Sequence, residues 1–455
     1  MMHIEAIRSA RELLDQSIIT YQGEPIGTAA ACDPSPVAAN YEECFVRDFV
    51  PSAIVFLLQG RSAIVRNFLL TVLRLRSQLQ VMAGHQRAQG LMPASFRVVN
   101  DGESEQIVAD FGDRAIGRVA PVDSAMWWMF LLRAYRNVTG DQAFVERDDV
   151  QEAIRLTLDL YLKESFESAP TMLVPDASFM IDRRMGVYGH PLEIQSLYYA
   201  MLTIAGELLQ PGERSDRLLA MAASRLQSLR SFVRLYYWLD RNRLNDIHRY
   251  QAEEFGTEAV NVLNVYPETI PQWLLDGWLP ADAGYLVGNV GPGRIDFRFF
   301  ALGNHLAILF GLATHEESAA IMNLYTRHWE TLVGEMPLKL CYPALAGAEW
   351  RLLTGSDPKN APWSYHNGGN WPVLLWTFVA AAMRAGRDEL AIRAWDAAAR
   401  RLPGDGWPEY YDGVTGSLIG RRSNFHQVWS ATAFLIAHHL LEEPESRRLF
   451  NQIIF

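Results

Sequence analysis

Helical periodicity constrains this chain more than any other feature. Apolar residues recur at three- and four-residue steps through 64–79, 124–137, 193–209 and 217–239. The same spacing returns through 297–312, 317–329, 371–385, 389–401 and 429–441. It lines one face of a 3.6-residue helix with core side chains, and predicts at least ten helices of roughly 10 to 20 residues. Gly60, Gly140, Gly206 and Gly386 stand where these helices stop, as befits a residue that accepts a left-handed terminal conformation. Alternating stretches are short, around 91–99 and 289–294, and fit hairpins inside loops better than a central sheet. The expected fold class is all-α. The helix count suits an (α/α)6 toroid of six helical hairpins, with loop insertions covering one end.

On length alone, 455 residues suggest two or three domains. No low-complexity linker divides them, so a single domain over 1–455 is expected. The longest non-helical stretch, about 251–294, is rich in Pro and Gly and is expected to cover the pocket.

Charge and cysteine usage narrow the partners. Lys and Arg total 41 against 52 Asp and Glu, a net charge of -11 with the charges dispersed. Binding nucleic acid requires concentrated cations, and no basic stripe exists to supply them. Cys32, Cys44 and Cys341 lack metal-ligand spacing and read as idle thiols of a reducing compartment. Without His-Glu-x-x-His, Cys-x-x-Cys or EF-hand patterns, neither metal nor other cofactor is expected. Gly288-Asn-Val-Gly-Pro-Gly293 lacks the Lys-Ser/Thr ending of a phosphate loop, and no Gly-x-Ser-x-Gly elbow is present. The N-terminal residues include no apolar secretory core, and no run reaches the roughly 18 apolar residues of a membrane span. A cytoplasmic protein without membrane partners is expected, in which the Asn137-Val-Thr139 sequon has no role.

Two segments carry the chemistry, Met180-Ile-Asp-Arg-Arg-Met-Gly-Val-Tyr-Gly-His-Pro-Leu-Glu-Ile-Gln195 and Trp407-Pro-Glu-Tyr-Tyr-Asp-Gly413. Each sets a carboxylate among aromatic and Arg side chains. Glycosidic bonds break when one carboxylic acid protonates the leaving oxygen and a second carboxylate activates water or attacks carbon. Asp182 and Glu409 are the candidates. Arg183, Tyr188 and Gln195 share the first segment, where Gly186 and Gly189 permit close backbone approach. Glu409 lies among cyclic side chains that desolvate it and raise its pKa; Arg421 or Arg422 is the nearby cation expected to oppose that shift. Arg47, Asp48, Asp123, Asp296, Arg298, His366 and Asn367 offer groups for sugar hydroxyls, and Trp128 a face for a ring. Plainer readings stand beside these. Asp182 fits a surface Arg-Asp cluster, Glu409 a solvent-facing turn, Asp48 and Asp123 helix caps, and His366 a structural histidine. Trp127 and Trp128 point in different directions on a helix, so at most one stacks on a sugar.

Phe45-Val-Arg-Asp-Phe-Val-Pro-Ser-Ala53, Met92-Pro-Ala-Ser-Phe96, Ala109-Asp-Phe-Gly112 and Ile116-Gly-Arg-Val-Ala-Pro-Val-Asp-Ser124 resemble the alkaline/neutral invertases of plants and cyanobacteria. So do Gly334-Glu-Met-Pro-Leu-Lys339, the stretch 363–372 and both catalytic segments, a likeness spanning about 40–442. The resemblance implies an (α/α)6 toroid that hydrolyses sucrose to glucose and fructose. It implies Asp182 as general acid, Glu409 as general base, and hydroxyl-binding roles for Arg47, Asp48, Asp123, Asp296 and His366. It further implies a homo-oligomer and allows a hexamer. Inversion would release β-glucose and needs carboxyls roughly 6.5 to 9.5 Å apart. The competing readings are another α-glucosidase, such as a trehalase, and a sugar-binding scaffold.

Overall fold

The computed structural model describes residues 2–33, 40–78, 89–112, 120–163, 170–174, 177–181, 183–252, 269–291, 294–419 and 423–454. Apart from the helix Arg241–Ala252, its long helices in chain order are α1 (Met2–Gln16), α2 (Val46–Leu58), α3 (Ser62–Leu75), α4 (Ser124–Thr139), α5 (Asp148–Tyr161), α6 (Leu192–Leu208) and α7 (Glu213–Tyr236). They continue as α8 (Ala301–Leu309), α9 (His315–Arg327), α10 (Leu374–Arg384), α11 (Asp388–Arg401), α12 (Val428–Glu442) and α13 (Pro444–Ile454).

Composition sorts these helices into two layers. The even-numbered helices α2, α4, α6, α8, α10 and α12 are apolar nearly all round, and almost every residue in them is buried. A helix without a polar face must be surrounded by other helices. Each packs on the next in the series α2–α4–α6–α8–α10–α12, and α12 packs back on α2. The odd-numbered helices are amphipathic and lie outside: α1 against α12, α3 against α2 and α4, α7 against α6, and α11 against α10 and α12. Helix α13 crosses α2, α4 and α12. Its Ile453 and Gln452 carbonyls accept from Arg133 and Asn137 near the end of α4.

Strands interrupt this mostly helical plan and go beyond the short hairpins expected. Strand β1 (Ser95–Asn100) pairs in register with β2 (Glu105–Asp110); β1 overlaps the first predicted stretch, 91–99, and β2 lies beyond it. Strand β3 (Gly284–Gly291) pairs antiparallel with β4 (Arg294–Phe300), so 297–300 is strand where the apolar pattern suggested helix. A short, largely apolar run does not distinguish a buried strand from a buried helix, and three phenylalanines among these four residues favour the strand. β3 also pairs with Trp238–Asp240 and His190–Pro191, and β4 with Cys341–Tyr342, giving a five-stranded sheet. Of the expected stops, Gly60, Gly140 and Gly386 adopt positive φ just beyond helices, whereas Gly206 lies inside α6. The stretch 253–268, part of the expected cover over 251–294, lies outside the described residues.

Candidate active site

The predicted polar residues concentrate at the N-terminal ends of the inner helices. Asp48 occupies the first turn of α2, Asp123 immediately precedes α4, and Glu193 is the second residue of α6. The strand holding Asp296 and Arg298 runs straight into α8, His366 and Asn367 precede α10, and Glu409 precedes α12. The partial positive charge of a helix N-terminus, which fades within the first turn, favours the carboxylates of Asp48, Asp123 and Glu193.

Arg47 is the centre of one group. Its Nε donates to Asp123 Oδ2 at 2.5 Å and its Nη2 to Oδ1 at 3.2 Å. Asp123 is fully buried and makes no side-chain cap bond with α4, so the capping reading gives way to the ion pair. Asp48 likewise does not precede its helix, because α2 begins at Val46 rather than near Pro51. Loss of solvation drives the Asp48 carboxyl up to about 7; Arg47 opposes this, while Glu409 and Asp123 add to it. Glu193, buried beside the same Arg47, is pushed up to about 8 by desolvation and by Asp123, against the pull of Arg47.

Glu409 anchors the second group. It is buried, with Tyr41 donating to Oε1 at 2.7 Å and Asn424 Nδ2 to Oε2 at 3.2 Å. Its backbone amide donates to the Asn424 carbonyl at 2.9 Å. Both oxygens therefore face protein donors, not a solvated turn. Desolvation raises its pKa, with Lys359, Tyr41 and Asn424 opposing. Lys359 is thus a cation that favours the ionised form. Its Nζ lies 3.7 Å from the Tyr365 ring centroid, and Tyr365 packs on His366, Trp371 and Tyr410. The sequence offered no signal for Tyr41 or Asn424; both reach Glu409 only through the fold. Arg421 and Arg422 lie outside the described residues.

The backbone around Glu409 is held in an uncommon conformation. Trp363 (φ 67°), Tyr365 (φ 47°), Trp407 (φ 53°) and His426 (φ 53°) are all left-handed without being glycine. Each costs on the order of 1 kcal/mol and persists only where surrounding contacts fix it, most often at working sites. Those contacts are present: the Gln427 amide donates to the Trp407 carbonyl, the His426 amide to Gly406 and the Gly413 amide to Trp363. A Cβ on Gly413 would sit 1.8 Å from the Gly368 carbonyl oxygen, so only glycine lets these two motifs meet.

Other candidates take structural places. Trp128 is fully buried and its indole N–H donates to the Leu69 carbonyl at 3.0 Å, leaving no face for a sugar. Gln195 bonds both polar ends to Met172 and also reaches the Pro191 carbonyl. Asn367 does the same between Leu345 and Asn360. Both are braces for loops rather than exposed ligand groups. Asp296 and Arg298 form a buried bidentate pair, Nη2 to Oδ2 at 2.5 Å, and the Arg298 Nη1 has no hydrogen-bond partner among the described residues. Tyr188 is half exposed, and its carbonyl accepts from Asn289. Gly189, at φ 125°, brings its loop against Gly291, where a Cβ would lie 2.6 Å from the neighbouring Cα. Arg183 opens a short 3-10 turn, Arg183–Met185. Its side chain and the whole of Asp182 lie outside the described residues.

The raised carboxyl pKa values carry a consequence for stability. The folded chain keeps protons on Asp48 and Glu193 that unfolded carboxyls release, so their stabilising contribution disappears as pH rises to about 7 and about 8. Buried His305, driven down to about 3, acts oppositely, but only below its ordinary value of 6.5. The melting temperature is expected to fall between about pH 6.5 and 8. A differential scanning fluorimetry series checks this, and a rising midpoint across that window would contradict it.

No group of three or more His, Cys, Asp and Glu suited to a metal ion occurs among the described residues. Nor, among them, is any helix long and apolar enough to cross a membrane.

Solved structures share the architecture. A wild-type glycosidase matches with a TM-score of 0.57 at 16% identity over 97% of both chains. A GH63 mannosylglycerate hydrolase from Thermus thermophilus, in complex with glucose, matches at 0.52 and 13% identity, over 94% of this chain and 99% of that one. The fold is thus one found among glycosidases. The sequence carries the match further, since the family model for alkaline and neutral invertase covers residues 10–444. That span begins well before the motif likeness near residue 40. Neutral/alkaline invertase 1, mitochondrial, of Oryza sativa subsp. japonica is 50% identical over 97% of this chain and 73% of its own. Cytosolic invertase 1 of the same organism is 50% identical over 96% and 78%. A probable alkaline/neutral invertase A, chloroplastic, of Arabidopsis thaliana is 49% identical over 96% and 70%. The chain belongs to the alkaline and neutral invertase family of glycoside hydrolases.

Proposed function

We propose that the protein hydrolyses the α-1,2-glucosidic bond of sucrose to glucose and fructose, with inversion. The observation that carries the reading is Glu409, a buried carboxylate held at both oxygens by neutral donors and influenced by one lysine. Neutral donors and a cation oppose the rise that burial imposes on this carboxyl and so favour the ionised form a water-activating base requires. Asp182 is the general acid of this reading. It donates to the bridging oxygen as the glucosyl–fructosyl bond lengthens, while Glu409 takes a proton from water on the opposite face of the glucosyl ring. Asp48, whose ionisation the charge of Glu409 disfavours, is a hydroxyl-binding carboxylate beside the base. Arg47, Asp123, Arg183, Tyr188, Asp296, Arg298 and His366 complete the recognition set, Arg47 and Asp123 as one unit.

The helix packing that returns from α12 to α2 supports the (α/α)6 toroid and a single domain over 1–455. A cytoplasmic homo-oligomer completes the reading, with cytosolic invertase 1 among the relatives.

The test is incubation with sucrose at pH 7 to 8, with the released glucose followed at once by proton NMR. β-Glucose as the first anomer is expected. α-Glucose first would keep the substrate and replace the base by a nucleophile. Release of glucose from trehalose or maltose but not sucrose would overturn the substrate.

A further inference from the structure

Glu193 belongs to no step of the reaction written above, yet its placement is unusual. It is the second residue of α6, 2% exposed, and its Oε1 accepts the Met180 backbone amide at 3.0 Å. Met180 and Ile181 are themselves buried at 3% and 2%. The next residue in the chain is Asp182. We infer that Glu193 is a positioning residue for the proposed general acid, gripping the stretch of backbone that leads into Asp182 through the Met180 amide.

Three observations support this. A buried carboxyl needs a reason to be retained, since an apolar side chain in the first turn of an inner helix would avoid the desolvation. Glu193 is also not the partner of the adjacent guanidinium, because Arg47 gives its Nε and Nη2 bonds to Asp123. The direct side-chain hydrogen bond it makes among the described residues is the one to the Met180 amide. Finally, its proton is retained up to about pH 8, so the neutral carboxyl accepts that amide bond through its carbonyl oxygen at working pH. Glutamine reproduces that oxygen and that neutrality; methionine matches the length and removes the acceptor. The neighbouring Gln195 braces the same loop at Met172, so the two side chains of α6 hold it at two points.

The inference rests on Asp182 being the acid, and the experiment separates the two claims. Fluoride departs without a proton, so α-D-glucopyranosyl fluoride bypasses a general acid while still requiring the base. Glu193→Met is expected to lower kcat on sucrose by about 10²-fold with KM changed less than about threefold, the scale of a misplaced catalytic group. On the fluoride its loss should be under about tenfold, because the proton transfer it disturbs is not needed. Glu193→Gln should retain most of the sucrose activity. Equal losses by Glu193→Met on both substrates, or equal damage by Glu193→Gln and Glu193→Met, would overturn the positioning role. Asp182→Asn run alongside must itself show the relief on fluoride. If it does not, the assignment of the acid fails, whatever Glu193 does. Should Glu193→Met not fold, Glu193→Asp, which shortens the reach to Met180, is read by the same substrate ratio.

Discussion

Glu409→Gln is expected to lower kcat on sucrose by about 10²- to 10⁴-fold, the usual worth of a proton-transfer group, while the protein melts within a few degrees of wild type. The exchange is close to isosteric. The amide oxygen still accepts from Tyr41, and the segment remains fixed by the Glu409–Asn424 and Gln427–Trp407 backbone bonds. What disappears is the capacity to take a proton from water. Glu409→Ala should lose at least as much activity. The wild-type enzyme should also lose activity as pH falls, beginning at a higher pH than for a solvated carboxylate, because burial raises the pKa of this group. Steady-state kinetics over pH 5 to 9 check both points, and comparable activity in Glu409→Gln would refute the base assignment.

Arg47→Met is expected to be the most destabilising single change in the site. Asp123 has no exposed surface and receives two bonds from Arg47, so removing the guanidinium strands a carboxylate in the interior. Breaking a buried pair from one side costs about 3 to 5 kcal/mol. Pairing the change with Asp123→Asn should recover a good part of that loss, since the stranded charge is the source. Urea unfolding of the two variants measures the difference. A loss below about 1 kcal/mol in Arg47→Met would mean the pair is solvated and the interior reading is wrong.

The helical periodicity foretold a mostly helical chain, because apolar residues at three- and four-residue steps line one face of a helix; it did not say which helices lie inside. It failed at 297–300, where an apolar run bordering α8 is strand, and at Gly206, which sits inside α6. Local sequence marked Glu409 through its cyclic neighbours and Gly189 through its need for close approach. It could not mark Tyr41, Asn424 or Lys359, which meet the site only when distant segments pack. Trp128 misled in the other direction. Nothing local separates a tryptophan that faces a sugar from one whose indole N–H bonds to the backbone of a neighbouring helix, as this one does at Leu69. Local sequence marked Asp182 as well, but the structure describes its segment only as far as Ile181 and again from Arg183.

The stitching of Glu409 to the start of the chain has a bearing on how the molecule is made. Tyr41 meets Glu409 across 368 residues, Ala31 bridges Gln427, the Cys32 amide donates to His426, and the Trp407 indole donates to Ser9. Bringing such remote segments together costs about 5 kcal/mol of closure entropy beyond a constant, and long-range contacts of this kind form late and slowly. The chain can acquire most of its helices while the base still lacks its tyrosine. Activity therefore reports on completed folding more strictly than helix content does, and on the ribosome it waits until the segment holding Glu409 has emerged and found the earlier one that holds Tyr41.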